Sequence, residues 1–218
     1  MKQSGFPLLV KMTLDKAIAA GVLIAAAPVI GIAALAVRRV MGHPVLFAQT
    51  RPGRDGKPFR IYKMRTMTDA RSADGQLLPD GERLTTLGKA LRATSLDEIP
   101  QLWNVLRGEL SLVGPRPLLP DYLPFYTADQ ARRHEVLPGI TGWAQTNGRN
   151  SVSWEEKFSL DIWYVDRWTP WLDLYVLART AVSVIRREGI SPEGYATMPR
   201  FDDYMRAKRQ RAANGSEI

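Results

Sequence analysis

The chain has 218 residues, enough for one domain with an appendage, and 30 Lys and Arg against 22 Asp and Glu give a net charge of +8. Its 45% hydrophobic content excludes wholesale disorder, and a mean hydropathy of −0.20 excludes a polytopic membrane protein. There is no Cys, and the only two His, His43 and His134, lie far apart, which excludes a disulfide framework, a thiolate nucleophile and a His- or Cys-rich metal centre.

The first element is apolar. From Ala17 to Val37 the sequence reads AIAAGVLIAAAPVIGIAALAV, without a charged side chain. At about 1.5 Å per residue this run reaches about 31 Å, the thickness of a hydrocarbon core. A core helix of a soluble domain this uniformly apolar would be unusual, because it has no polar stripe to give to water. A secretory leader would end in a small-residue cleavage site rather than in Arg38-Arg39 and a basic domain. Membrane insertion is therefore expected. Lys11 and Lys16 precede the run and Arg38 and Arg39 follow it, so the flanking charges set no orientation for a span. Pro28, near the middle, removes a helical hydrogen bond and favours a bend that returns the chain to the same face. A mildly kinked spanning helix is the alternative, because Pro is tolerated in membrane helices.

Two short strands come next, Val45–Gln49 and Phe59–Thr66, joined by the Gly-, Pro- and Asp-rich turn RPGRDGKPFR. Alternation puts Phe59, Ile61, Lys63 and Arg65 on one face. Either the strand end leaves the core there, or Lys63 and Arg65 point into an anion site. Residues 69–86 are polar and read as a mobile loop, Leu87–Ala93 as a short helix, and Pro100 to Leu106 as a helix with apolar residues at helical spacing. A polar helix is expected over 121–136, ended by Pro138-Gly139. Between Trp154 and Tyr175 aromatic residues crowd together, as a core or as rings at lipid headgroup depth. Leu174–Arg187 reads as a further helix, and the charged tail from Arg200 is expected to fray.

With Cys and His out of play, chemistry rests on carboxylates, Arg, Lys and hydroxyls. Ser95-Leu96-Asp97-Glu98 opens a helix, where Ser and Asp serve as N-caps and Glu suits the first turn. A helix N-terminus also favours an ionised carboxylate, and such an Asp is a nucleophile or a Mg²⁺ ligand. In Gly114-Pro115-Arg116-Pro117 two prolines stiffen the backbone around one guanidinium, a setting that suits phosphate recognition. Lys63, Arg92, Arg116 and Arg149, taken with the carboxylate pair, compose a plausible polyphosphate site. Neither a phosphate-cradling Gly-Lys loop nor GxGxxG occurs.

The stretches FAQTRPGRDGKPFRIYKMRTM, SLDEIPQLWNVLRGELSLVGPRP, LPGITGWAQTNGRN and SWEEKFSLDIWYVDRW closely resemble the monotopic phosphoglycosyl transferases among the bacterial sugar transferases. The likeness runs from Lys11 to about Gly189. It implies an α+β, mainly helical fold with an N-terminal re-entrant membrane helix, a small β-hairpin and interfacial amphipathic helices. Residues 1–40 would insert in the membrane, 41–199 would form the catalytic domain, and 200–218 a charged tail. The resemblance implies transfer of a phosphosugar from a UDP-sugar to polyprenol phosphate with release of UMP, using Mg²⁺, at the cytoplasmic face of a bacterial inner membrane. It makes Asp97 the nucleophile that carries a covalent phosphosugar, with Glu98 as metal ligand or proton acceptor and both acids on the metal. It puts Lys63, Arg92, Arg116 and Arg149 near phosphates and Asp161 weakly in the site. The implied partners are these two substrates and membrane lipid, with no nucleic acid. A homo-oligomer is compatible with the sequence, and neither the sugar nor the downstream pathway is written in it. An inactive membrane-anchored adaptor of the same fold is the alternative.

Two positions depart from the family pattern. Its Lys-Arg-x-Phe-Asp element is Lys11-Met12-Thr13-Leu14-Asp15 here, and the Ser before the bending proline is Ala27. Without that hydroxyl the bend rests on Pro28 and packing.

Overall fold

The computed structural model describes residues 3–148, 152–186 and 200–213. The apolar run forms the body of one helix, α1 (Gly5–Met41), which continues without interruption through Pro28. At 1.5 Å per residue it is about 55 Å long. Its most apolar 18-residue window has a mean hydropathy of 2.5 and is only 11% buried. The middle is open, with Ile24 77% and Ile32 70% exposed, so it is not the core helix of a soluble domain.

Both ends of α1 are tied to the rest of the protein. At the first end Lys11 and Asp15 are buried. Lys11 Nζ donates to Asp173 Oδ2 at 2.5 Å and to the Val113 carbonyl at 3.2 Å, and Ser111 Oγ donates to Asp15 Oδ2 at 2.7 Å. Tyr164 Oη and Trp168 Nε1 add donors to Asp173 at 2.7 and 3.0 Å, which completes a buried hydrogen-bonded network of one ammonium and two carboxylates. At the second end Ala33 and Val37 pack with Met64 and Leu91. Lys11 and Asp15 thus dock the helix rather than face lipid.

The expected hairpin is present. β1 (Leu46–Pro52) and β2 (Pro58–Met64) pair antiparallel, from Leu46↔Met64 to Pro52↔Pro58, around a 3-10 turn at Arg54–Gly56. The second strand stops at Met64 instead of Thr66, because Arg65 turns away. Its guanidinium donates to the carbonyls of Met41, His43 and Met67 at 3.2, 3.1 and 2.9 Å and pairs with Asp69. Arg65 thus clamps the exit of α1, and of the two cations only Lys63 faces the candidate site.

The 69–86 stretch contains a helical turn, α2 (Asp80–Arg83), and Arg83 fastens it to the carbonyls of Leu78 and Thr68. α3 (Thr86–Ala93) is the expected short helix, capped by Thr85. It crosses the strand exit so closely that a Cβ on Gly88 would lie 2.0 Å from the Thr66 carbonyl oxygen. A 3-10 turn (Leu96–Gln101) then feeds α4 (Leu102–Arg107).

Four features differ from expectation. β3 (Ser111–Val113) and β4 (Gly139–Thr141) form a parallel pair too short to show a periodicity. The single helix expected over 121–136 is instead a 3-10 turn (Pro120–Phe125), α5 (Ala128–Ala131) and a second 3-10 turn (Arg132–Glu135). Pro124 lies inside the first of these, and Thr127 starts a new helix with a capping box to Gln130. After α6 (Trp143–Asn147) and α7 (Trp154–Arg167), α8 (Pro170–Ile185) begins four residues before the expected Leu174, capped by Thr169, and Arg187 falls outside the described residues. The tail does not fray from Arg200: α9 (Phe201–Ala213) inserts Phe201, 1% exposed, among Tyr122, Trp154 and Phe158. The aromatic crowd divides accordingly, Trp154, Phe158 and Trp168 being core, while Trp171 and Tyr175 on α8 are 79% and 50% exposed.

Candidate active site

Asp97 and Glu98 sit in the 3-10 turn after Ser95, whose φ of 55° places it in the left-handed region. The Ser95 side chain makes no capping hydrogen bond, so the plain capping account of this sequence is not realised. The Glu98 carboxylate turns inward and accepts at Oε1 from Lys63 Nζ at 2.6 Å and Arg116 Nη2 at 2.5 Å. Three segments meet here: the end of β2, the 3-10 turn and the Pro-Arg-Pro loop.

Burial by itself would raise the Glu98 carboxyl, but Arg116 and Lys63 prevail and hold it well below the ordinary range. Arg116 is raised in turn, chiefly by Glu98. Lys63 is lowered by burial, against the pull of Glu98. Asp97 behaves oppositely. It is 7% exposed, and burial followed by the neighbouring Glu98 charge raises its carboxyl, with Lys63, Arg92 and Arg116 countering. Burial and the neighbouring Glu98 charge thus oppose the ionised Asp97 that a helix start favours. Among the described residues Asp97 makes no hydrogen bond or ion pair, so one acid is locked and its neighbour is unengaged.

Arg116 is positioned from behind. Its carbonyl accepts from Arg133 Nη2 at 2.8 Å, and Arg133 is held by Asp161 Oδ2 at 2.7 Å to Nη2 and 3.2 Å to Nε. Asp161 is 2% exposed and faces Arg133 rather than the acid pair, so its weak assignment to the reacting centre is corrected to a supporting position. The backbones of the Pro-Arg-Pro loop and β4 cross at van der Waals limit, and a Cβ on Gly114 would lie 2.3 Å from the Leu137 carbonyl oxygen. Arg92 acts on Asp97 through its charge and donates from Nε to Thr66 Oγ1 at 3.2 Å. Arg149 lies outside the described residues.

Among the described residues no group of three or more metal-ligating side chains occurs. Two adjacent carboxylates nevertheless fit Mg²⁺, which takes one or two carboxylate oxygens and leaves the rest of its shell to substrate phosphates and water. Arg133 bears no local mark in the sequence that would single it out.

A profile of the bacterial sugar transferase family matches residues 6–187. A sugar transferase of Bacillus subtilis (strain 168), EpsL, is 61% identical over 165 residues, covering 76% of this chain and 82% of the relative. A UDP-glucose:undecaprenyl-phosphate glucose-1-phosphate transferase of Caulobacter vibrioides is 39% identical over 185 residues, 80% of this chain and 69% of the relative. An undecaprenyl-phosphate galactose phosphotransferase of Salmonella typhimurium is 39% identical over 165 residues, 68% of this chain but only 35% of that longer protein.

Proposed function

The chain belongs to the bacterial sugar transferase family, and on that premise we propose that it transfers a phosphosugar from a UDP-sugar to undecaprenyl phosphate and releases UMP. The names of the relatives support this substrate pair. The observation that carries it is the unengaged Asp97 beside Glu98, Lys63 and Arg116. An Asp-Glu pair retained in this setting does not favour the inactive adaptor.

In the first half-reaction an Asp97 carboxylate oxygen attacks the β-phosphorus of the donor. The bond from that phosphorus to the bridging oxygen breaks, and UMP leaves with the electron pair. In the second, an oxygen of the lipid phosphate attacks the aspartyl phosphosugar, the Asp97–phosphorus bond breaks, and a polyprenyl diphosphosugar forms. The surrounding cations are set before the reaction begins, where they stabilise charge with little reorganisation. Glu98, held ionised by two cations, is a poor proton acceptor; it keeps Lys63 and Arg116 in place. Asp97 and the second Glu98 oxygen would hold Mg²⁺, which when bound neutralises diphosphate charge.

We further propose that α1 enters and leaves the same face of the membrane. The docking of both ends of the apolar run on one body, with its middle exposed, supports this reading. The exposed Trp171 and Tyr175 of α8 suit the headgroup layer, and the positive chain suits the anionic cytoplasmic leaflet. In this Cys-free chain, single cysteines replacing Ser4 and Arg39 are expected to react with an impermeant thiol reagent from the same side of sealed vesicles. Labelling from opposite sides would establish a span.

The activity is tested by offering detergent-solubilised protein a panel of UDP-sugars with undecaprenyl phosphate and Mg²⁺, and measuring UMP. Lipid-dependent UMP release from at least one hexose donor is expected. Its absence across the panel refutes the assignment.

A further inference from the structure

The β1–β2 register sets two cations on one face. Phe47 pairs with Lys63 and Arg51 with Phe59, and alternate residues share a face, so Arg51 and Lys63 project together about 13 Å apart along the hairpin. Arg116 lies within electrostatic reach of both. Pro52, next to Arg51, lines a shallow surface cleft with Arg116, Arg133 and His134.

Arg51 is not satisfied by the fold. Its Nη2 donates to Gln49 Oε1 at 2.6 Å, but its Nε is enclosed and without a partner, as is Nε2 of His134, which lines the cleft beside Pro52. Among the described residues no carboxylate pairs with Arg51. Burial first, then the Arg116 charge, lower its pKa to about 10, which still leaves it a cation at neutral pH. A half-buried guanidinium beside a second one calls for an anion, and phosphate oxygens match its fork.

We propose that Arg51 is a further substrate-binding residue, donating to a phosphate oxygen beside Arg116. This rests on the reading of the protein as a transferase acting between a nucleoside diphosphate sugar and a lipid phosphate, either of which carries the required group.

The test compares full-length wild type with Arg51→Met, which keeps the stem and removes the charge. The probe is inorganic pyrophosphate, read by calorimetry and by the shift in Tm. Wild type is expected to bind it, and Arg51→Met at least tenfold more weakly, with a ligand-free Tm equal to or above that of wild type. A purely structural arginine would lower the Tm instead. Should Arg51→Met not fold, Arg51→Gln is read in the same way. Equal affinities, or no wild-type binding at millimolar pyrophosphate, overturn the proposal.

Kinetics then identify the phosphate. A tenfold rise in KM for the UDP-sugar alone assigns it to the donor, a rise for polyprenol phosphate alone to the acceptor, and unchanged KM for both overturns the proposal. Pyrophosphate binding that depends on Arg51 in a protein releasing no UMP would refute the transferase reading while leaving the phosphate site.

Discussion

Asp97→Asn is expected to reduce UMP release by roughly 1,000-fold or more, the scale seen when a covalent nucleophile is lost. The amide is nearly isosteric, but it neither attacks phosphorus nor brings negative charge to a cation. The fold should tolerate it. Because burial and Glu98 raise the Asp97 carboxyl in the native protein, its ionised form opposes folding at neutral pH, and that opposition fades as pH falls. Removing the charge should leave the Tm unchanged or raise it. Wild type incubated with donor and no lipid should gain one phosphosugar, visible as an added mass on the intact protein, and Asp97→Asn should gain none. Undiminished turnover in the variant, or no adduct on the wild type, would end the nucleophile assignment.

Asp161→Ala is expected to act mainly on stability. Arg133 and Asp161 side chains are 1% and 2% exposed, so deleting the acid strands a guanidinium where water does not reach. The cost of breaking such a pair is about 3–5 kcal/mol, and thermal denaturation should show it directly. Replacing both partners, with Arg133→Met added, should recover much of that loss because no lone charge remains. Activity should stay low, since the Arg116 carbonyl loses the donor that holds it. If Asp161 worked at the reacting centre, its removal would abolish turnover while the Tm held, and the second substitution would recover nothing.

The two acids were equally visible in the sequence, yet their roles separate on contacts between distant segments. Asp97 and Glu98 are adjacent, but Glu98 meets Lys63 and Arg116, 35 and 18 positions away, and Asp97 meets neither by hydrogen bond. Asp161 reads as one more site acid until Arg133, 28 positions away, is seen against it. Phe201 likewise looks like part of a charged tail, because the rings that bury it belong to α7 and the Pro120–Phe125 turn.

Local chemistry determined what could be read in order along the chain. An uncharged run long enough for a bilayer, an Asp-Gly turn between two strands, an acid pair at a helix start and an Arg between prolines each act through neighbours within a few residues. They were enough for the membrane association expected of the run, the hairpin and the elements that supply the candidate site. Tertiary structure alone decided which acid is locked and which is unengaged, where Asp161 belongs, that both ends of α1 dock on one body, and that Arg51 Nε is enclosed without a partner within reach of the Arg116 charge. Most of these depend on charges being desolvated together or left unmatched, and the second end of α1 on apolar packing. Burial and pairing arise only when segments far apart in sequence pack against one another.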